Sequence, residues 1–484
     1  MTRIAATTLL ILMGTSAQAL AAATPEEAQR LTAVFQAYLG SDPGVVSVTP
    51  AGDSYKARFD LAPHFAKIKE PGVTASITPI EWTLTDQGGG KWKVDQDQPL
   101  SFALKVEGAV DMKGSLGSIK GTGVYDETLG AFASTATEIG QAAFEQVITD
   151  KGQTSKVNYT VGNIKVQSAM TGTSESADGT TSYTFSDIHE TISMPAAPDG
   201  SMPAMNVSIA ASGGSQEASV KGFKPKAITG LIAWFVERPS KEQIIAGQAE
   251  LKDKLRAALP VFSSMSGTAT LNDLSINTMV GKFGIAKLDM GIDANGVVAD
   301  GAFREKFAVT GITPPEGIVP PWATSLVPQN FTIDFSVKDF DLAKPAGMIL
   351  DALDLSKEPP LPPDMENQLQ QALLPKGSVT IGLGPSEVIA AIFDLKAEGT
   401  MTAGPMAMPA GQATIRLKGI DEIMSALQAA PPEMGMGQVA PVGIVAKGMA
   451  KQDADGYLSW KIESTPTGSV TINGTDISKI GGGQ

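Results

Sequence analysis

The sequence predicts a mainly β chain with accessory α (α+β): large, curved antiparallel sheets with short amphipathic helices packed on one face. Three observations carry that expectation. Alternating polar and apolar residues recur along most of the chain, as in Leu100, Phe102, Leu104 and Val106 against Ser101, Lys105 and Glu107. Turn-forming residues such as Asp53, Gly88-Gly89-Gly90 and Asn295-Gly296 separate these runs. Apolar residues at helical spacing are confined to a few short segments.

The chain opens with a processing signal (1–21). Arg3 supplies a positive start, Ile4 to Met13 form an uncharged apolar stretch, and Ala17-Gln18-Ala19 or Ala19-Leu20-Ala21 offers a signal-peptidase site. That stretch is shorter than the roughly twenty residues a permanent span needs. No later run is longer: Ile228 to Val236 stops at Glu237 and Arg238. The expectation is a soluble periplasmic protein with no transmembrane anchor after cleavage. The absence of cysteine suits a bacterial envelope chain large enough to form a core without disulfides.

The first helix of the mature chain is marked by Thr24 as cap, Pro25 at the first position and Glu27 completing a capping box. Leu31, Val34, Phe35, Tyr38 and Leu39 form its apolar stripe, suited to packing on a sheet, and Gly40 ends it. A β-rich region then runs to residue 224, with Val45 to Thr49, Ser54 to Asp60, Val73 to Thr85, Gly114 to Tyr125, Val157 to Ala169 and Thr180 to Met194 among its strands. Asp178-Gly179 reads as a hairpin turn within it. A helical interlude (225–262) follows, where the domain boundary is expected. Its first helix carries Ile228, Leu231, Ile232 and Phe235, and its second starts at a Ser240/Gln243 capping box and stops at Pro260. A second β-rich region (263–484) has turns at Asn272-Asp273, Gly281 and Asn295-Gly296. Its stiff proline-rich links are Pro314 to Pro328, Glu358 to Pro363 and a Met/Gly/Pro loop from Pro431 to Pro441.

A strand–turn–helix unit recurs. Val220-Lys221-Gly222-Phe223 and Val337-Lys338-Asp339-Phe340 align, each followed by an apolar helix with Gly at the same offset. Weaker copies begin at Phe59-Asp60-Leu61, Ile381-Gly382-Leu383 and Leu417-Lys418-Gly419-Ile420.

Near the C-terminus, Asp455-Gly456-Tyr457-Leu458-Ser459-Trp460 and Gly468-Ser469-Val470-Thr471-Ile472-Asn473-Gly474 form a D-G-x-L-x-W … G-x-V-x-x-N-G pair. With the signal peptide and lack of cysteine, this resembles the exported alphaproteobacterial proteins of domain of unknown function 2125. The resemblance covers the last hundred residues or so best and implies periplasmic residence with no activity to transfer. A looser similarity, at fold level, is to large β-rich envelope proteins that handle lipids in a sheet groove.

The chemistry-bearing residues are sparse. The two histidines, His64 and His189, lie in a short helix and in a strand, without metal-ligand spacing. Gly114-Ser115-Leu116-Gly117-Ser118 is not a nucleophile elbow, and no phosphate-binding glycine loop appears between strand and helix. With 51 Asp+Glu against 37 Lys+Arg, the charge excludes a nucleic-acid partner. No catalytic, metal or cofactor residue is assigned. The expected function is non-enzymatic: binding a lipid or other amphipathic ligand in a sheet–helix groove lined by Phe223, Leu231, Phe235, Phe340 and Ile349. The alternative is a structural or interaction module of an envelope complex, and a hydrolase ranks last. The methionines of 401–408 and 434–449 read first as core filler and loop, then as an acyl-chain lining.

Overall fold

The computed structural model describes residues 22–66, 71–150, 152–197, 203–238, 240–405, 407–436 and 439–477; the stretch expected as a signal peptide, 1–21, lies outside them. Helix α1 (Pro25–Leu39) is capped by Thr24, whose side chain accepts the Glu27 amide at 3.2 Å. Glu27 does not complete the box; its carboxylate turns to Arg30. Strands β1 (Val46–Ala51) and β2 (Ser54–Phe59) form a hairpin beneath α1, and the short helix α2 (Ala62–Phe65) follows. The run expected as one strand over 73–85 is divided into β3 (Val73–Ile77) and β4 (Ile80–Asp86) at Thr78 and Pro79. Then come β5 (Lys91–Val106), β6 (Val110–Asp126), β7 (Ala131–Ile139), β8 (Ala142–Asp150), β9 (Gln153–Val161), β10 (Ile164–Thr173), β11 (Ser176–Met194) and β12 (Met205–Phe223).

The helical interlude is α3 (Pro225–Val236), α4 (Lys241–Ala246) and α5 (Gln248–Ala258), with both arms of the Ser240/Gln243 box formed. It does not divide the sheet. β12 pairs directly with β13 (Ser264–Thr278), from Ser208↔Asn277 to Lys221↔Ser264. β14 (Gly281–Asn295), β15 (Gly301–Thr313), β16 (Pro328–Phe340), helices α6 (Ala343–Ala352) and α7 (Met365–Leu373), then β17 (Val379–Ala390), β18 (Asp394–Gly404) and β19 (Ala407–Lys418) follow. Helix α8 (Ile420–Gln428), helix α9 (Val439–Met449) and β20 (Lys451–Gln452), β21 (Leu458–Ser464), β22 (Val470–Ile472) and β23 (Thr475–Asp476) complete the described chain. Helix α9 occupies the end of the segment expected as a Met/Gly/Pro loop, and β17 runs unbroken through the weak repeat copy at Ile381-Gly382-Leu383.

Among the described residues the strands form one antiparallel sheet of 23. The ladder runs β1, β2, β4, β5, β6; β7 and β8 lie end to end against β6, and β10 and β9 end to end against them. From β11 to β19 each strand pairs with the next in sequence, and β21 closes against β19.

A line of irregularities crosses this sheet. It passes through the shift at Gln98/Leu100, the breaks at 140–141 and 162–163, and the left-handed residues Asp187, Asp273 and Gly311. Each extra residue reverses the alternation, so the same face stays apolar on both sides. In β13, Ala269 and Leu271 precede the crease and Leu274 and Ile276 follow it, paired with Met290 and Leu288, then Ile285 and Phe283, of β14. Thr268 and Asn277, on opposite parities, are accordingly both exposed. Two of the turns expected from sequence lie inside strands. Asn272-Asp273 is a bulge inside β13, and Asp178-Gly179 lies inside β11; the chain reverses at Thr173–Ser176 instead. Asp and Asn tolerate the left-handed region, so a bulge and a turn look alike in sequence.

The opposite face is polar. Gln167, Ser182, Glu217, Ser219, Thr268, Arg304 and Lys306 help to line a hollow of about 850 Å³ built from strands alone. Flat sheets enclose no such space, so the sheet curls. The helices α1, α3, α5, α6 and α7 contact one another in that order, forming a row. The strand–turn–helix unit forms at four of the five expected places: β2 passes through Asp60 and Leu61 into α2, and at the other three the third residue of the motif, Gly222, Asp339 or Gly419, is left-handed and turns the chain from strand into α3, α6 or α8.

Candidate functional site

The main buried cluster lies where α1 crosses the N-terminal strands. Ala28 and Leu31 of α1 pack with Val46, Val48, Tyr55, Ala57, Phe59, Leu84, Trp92 and Val94. The packing is incomplete. A cavity of about 490 Å³ remains between α1 and the sheet, within the range of small-molecule sites. All five residues of the α1 stripe, Leu31, Val34, Phe35, Tyr38 and Leu39, line it.

The opposite wall is aromatic. Phe59, Trp82, Trp92, Tyr125 and Phe132 come from β2, β4, β5, β6 and β7. Their rings meet edge to face: Phe59–Trp82 at 4.9 Å, Phe35–Phe59 at 5.0 Å, Tyr125–Phe132 at 5.5 Å and Trp82–Phe132 at 6.0 Å. Few polar side chains reach the cavity. The Thr78 hydroxyl bonds Ser101 at 2.9 Å, and that of Thr229, on α3, donates to the Pro225 carbonyl at 3.0 Å. Glu127 accepts from the Trp92 indole N–H at 2.6 Å and from Arg30 at 2.6 Å. Burial, with Tyr38, Glu127 and Asp126 nearby, pushes the Tyr125 phenol up to about 12, so it stays neutral.

Helix α1 is tied at both ends. The Thr24 amide donates to the Tyr55 hydroxyl at 3.0 Å, and Arg30 bridges Glu27 and Glu127. At the C-terminal end, the His64 ring meets the Leu39 carbonyl through Nε2 at 2.9 Å and Asp42 through Nδ1 at 3.2 Å. His189 is exposed on β11. Among the described residues, no group of three or more His, Asp or Glu side chains is placed to hold a metal ion.

The residues expected to line the groove are elsewhere. Phe223 and Phe340 end β12 and β16, and Phe340 lies over Gly301. Leu231 and Phe235 are on α3, where Phe235 is 45% exposed, and Ile349 is on α6. None of the five lines the cavity; the contribution of α3 is Thr229. A second apolar hollow, about 320 Å³, lies on β17, β18, β19 and β21, lined by Ile381, Leu383, Met401 and Ile462.

The C-terminal motif is architectural. Arg416 pairs with Asp453 at 2.8 Å and Asp455 at 2.6 Å and lies 4.5 Å over the Tyr457 ring. Trp460 donates to the Ala446 carbonyl, and the Asn473 amide bonds Met449 and Ser459 carbonyls, pinning α9 against the final hairpin.

Fold and cavity together define a β-rich chain in which a terminal helix roofs an apolar chamber on one face of a long antiparallel sheet. No protein-family model, curated protein or solved structure matches the chain.

Proposed function

We propose that this chain is a non-enzymatic envelope protein that binds the hydrocarbon part of a lipid or similar amphiphile beneath α1. The observation that carries this reading is the chamber wall: aromatic and aliphatic side chains, with the two threonine hydroxyls and Glu127 already engaged by protein partners. A ligand rich in hydrogen-bonding groups would meet only the Tyr38 and Tyr125 hydroxyls and the Trp82 indole N–H and leave its other polar groups unpaired, at about 1–3 kcal/mol each; a hydrocarbon chain loses nothing and gains burial. The leader-like residues 1–21 and the terminal motif support periplasmic residence and the likeness to domain of unknown function 2125.

The test is organic extraction and mass spectrometry of protein purified from the envelope without detergent. We expect a stoichiometric long-chain amphiphile, absent from the Ala131→Phe variant, in which a phenyl group fills the chamber. Equal lipid content in both proteins, or none in either, contradicts the reading.

A further inference from the structure

The composition of the chamber selects a head group, not only a chain. Seven of its residues are aromatic, a quarter of the total in a sequence with 5 Trp, 6 Tyr and 17 Phe. Burial of hydrocarbon requires no such enrichment; Leu, Ile and Val supply apolar area equally well. Aromatic faces add an electron-rich surface that attracts cations, most strongly when these are poorly hydrated alkylammonium groups.

Among the described residues, the single ionic side chain in the wall is a carboxylate, Glu127, which is partly open to solvent and therefore stands at the mouth. Its partner Arg30 is shared: the guanidinium lies 2.6 Å from Glu127 and 2.7 Å from Glu27. Two carboxylates against one guanidinium leave this cluster, beside the mouth, one negative charge in excess. The adjacent Asp126 has its own cation, Lys91, at 3.9 Å and leaves that balance unchanged.

Resting on the reading above, we infer that the chamber takes single-chain amphiphiles with an organic ammonium head, held at Glu127 among the rings of Tyr38, Tyr125 and Trp92. The alkyl chain lies against Phe35, Phe59 and Trp82. An anionic head meets unbalanced carboxylate charge at the entrance and is disfavoured.

The experiment compares three probes of one chain length, decyltrimethylammonium, decanol and decanoate, by titration calorimetry below their micellar concentrations. In the wild-type protein we expect the ammonium to bind roughly tenfold tighter than decanol, a difference of about 1.4 kcal/mol, with decanoate weakest. The ammonium-to-decanol ratio should fall towards unity in Glu127→Gln and rise in Arg30→Gln, which removes the cation shared by the two carboxylates. These opposite signs keep the test decisive if either variant fails to fold. Decanoate binding as tightly as the ammonium, or a ratio unmoved in the folded variants, overturns the head-group inference while decanol binding leaves the hydrocarbon reading intact. Failure of all three probes overturns both.

Discussion

Asp334 shows how single residues hold this sheet. Its carboxylate is buried on the polar face of β16, where Arg304 of β15 grips it at 2.8 and 2.5 Å and Ser386 bonds its backbone amide. The Arg304 hydrogen bonds hold the carboxyl below the usual aspartate range. A carboxyl lowered in the folded state stabilises the fold above its unfolded value, about 3.9, and that contribution is lost as pH falls through the lowered folded value. Asp334→Ala should cost about 2 kcal/mol at pH 7, read from urea unfolding, and the difference from wild type should shrink below about pH 4. A gap that persists undiminished at pH 2 would assign the cost to packing. At the same scale, Leu31 is 3% exposed beneath the α1 roof, and Leu31→Ala should cost about 2–4 kcal/mol in the same assay.

At the scale of elements, α1 and the crease are the two devices that matter. The Thr24 cap should be worth about 1 kcal/mol, so Thr24→Ala lowers stability by that amount, with the loss visible first as faster amide exchange in the first turn of α1. Gly311 lies on the crease at φ +70°, and a Cβ there would stand 2.6 Å from the Cβ of Ala286. Gly311→Ala should destabilise by about 1–3 kcal/mol, checked by thermal unfolding; an unchanged midpoint would mean that the crease relaxes freely. Elements were also where the sequence was most and least readable. The α1 boundaries and its stripe were plain, because Pro25, the Thr24 cap and the spacing of Leu31, Phe35 and Leu39 agree. The stripe is half of the chamber. The other half was not legible, since Phe59, Trp82, Trp92, Tyr125 and Phe132 sit on five separate strands and only the pairing brings them together. The motif that does stand out in sequence, V-K-x-F ending at Phe223 and Phe340, marks a left-handed strand-to-helix turn. The crease was hidden for a related reason: Asp273 and its neighbour Asn272 carry the signature of an exposed turn and serve as a bulge.

Over the whole molecule, the prediction of a mainly β chain with small helices holds, and the expected boundary near 225–262 leaves the sheet continuous across β12 and β13. A sheet this wide that keeps one face apolar through a crease needs cover for that face, and the row of helices supplies only some of it. Met290, Ile333, Phe335 and Met401 remain exposed at the C-terminal half, while α1 roofs the half-open chamber at the other end. We propose that this roofed end, not the open apolar surface, receives the ligand. A decyl probe carrying a terminal diazirine, photolysed on the protein at equimolar ratio and mapped by peptide mass spectrometry, tests it most directly. Labels are expected to concentrate on peptides 31–39, 80–94 and 125–132 and to be displaced by unlabelled decyltrimethylammonium. Labels spread instead over exposed apolar residues such as Met279, Val280, Val442 and Val445, with no displacement, would contradict it.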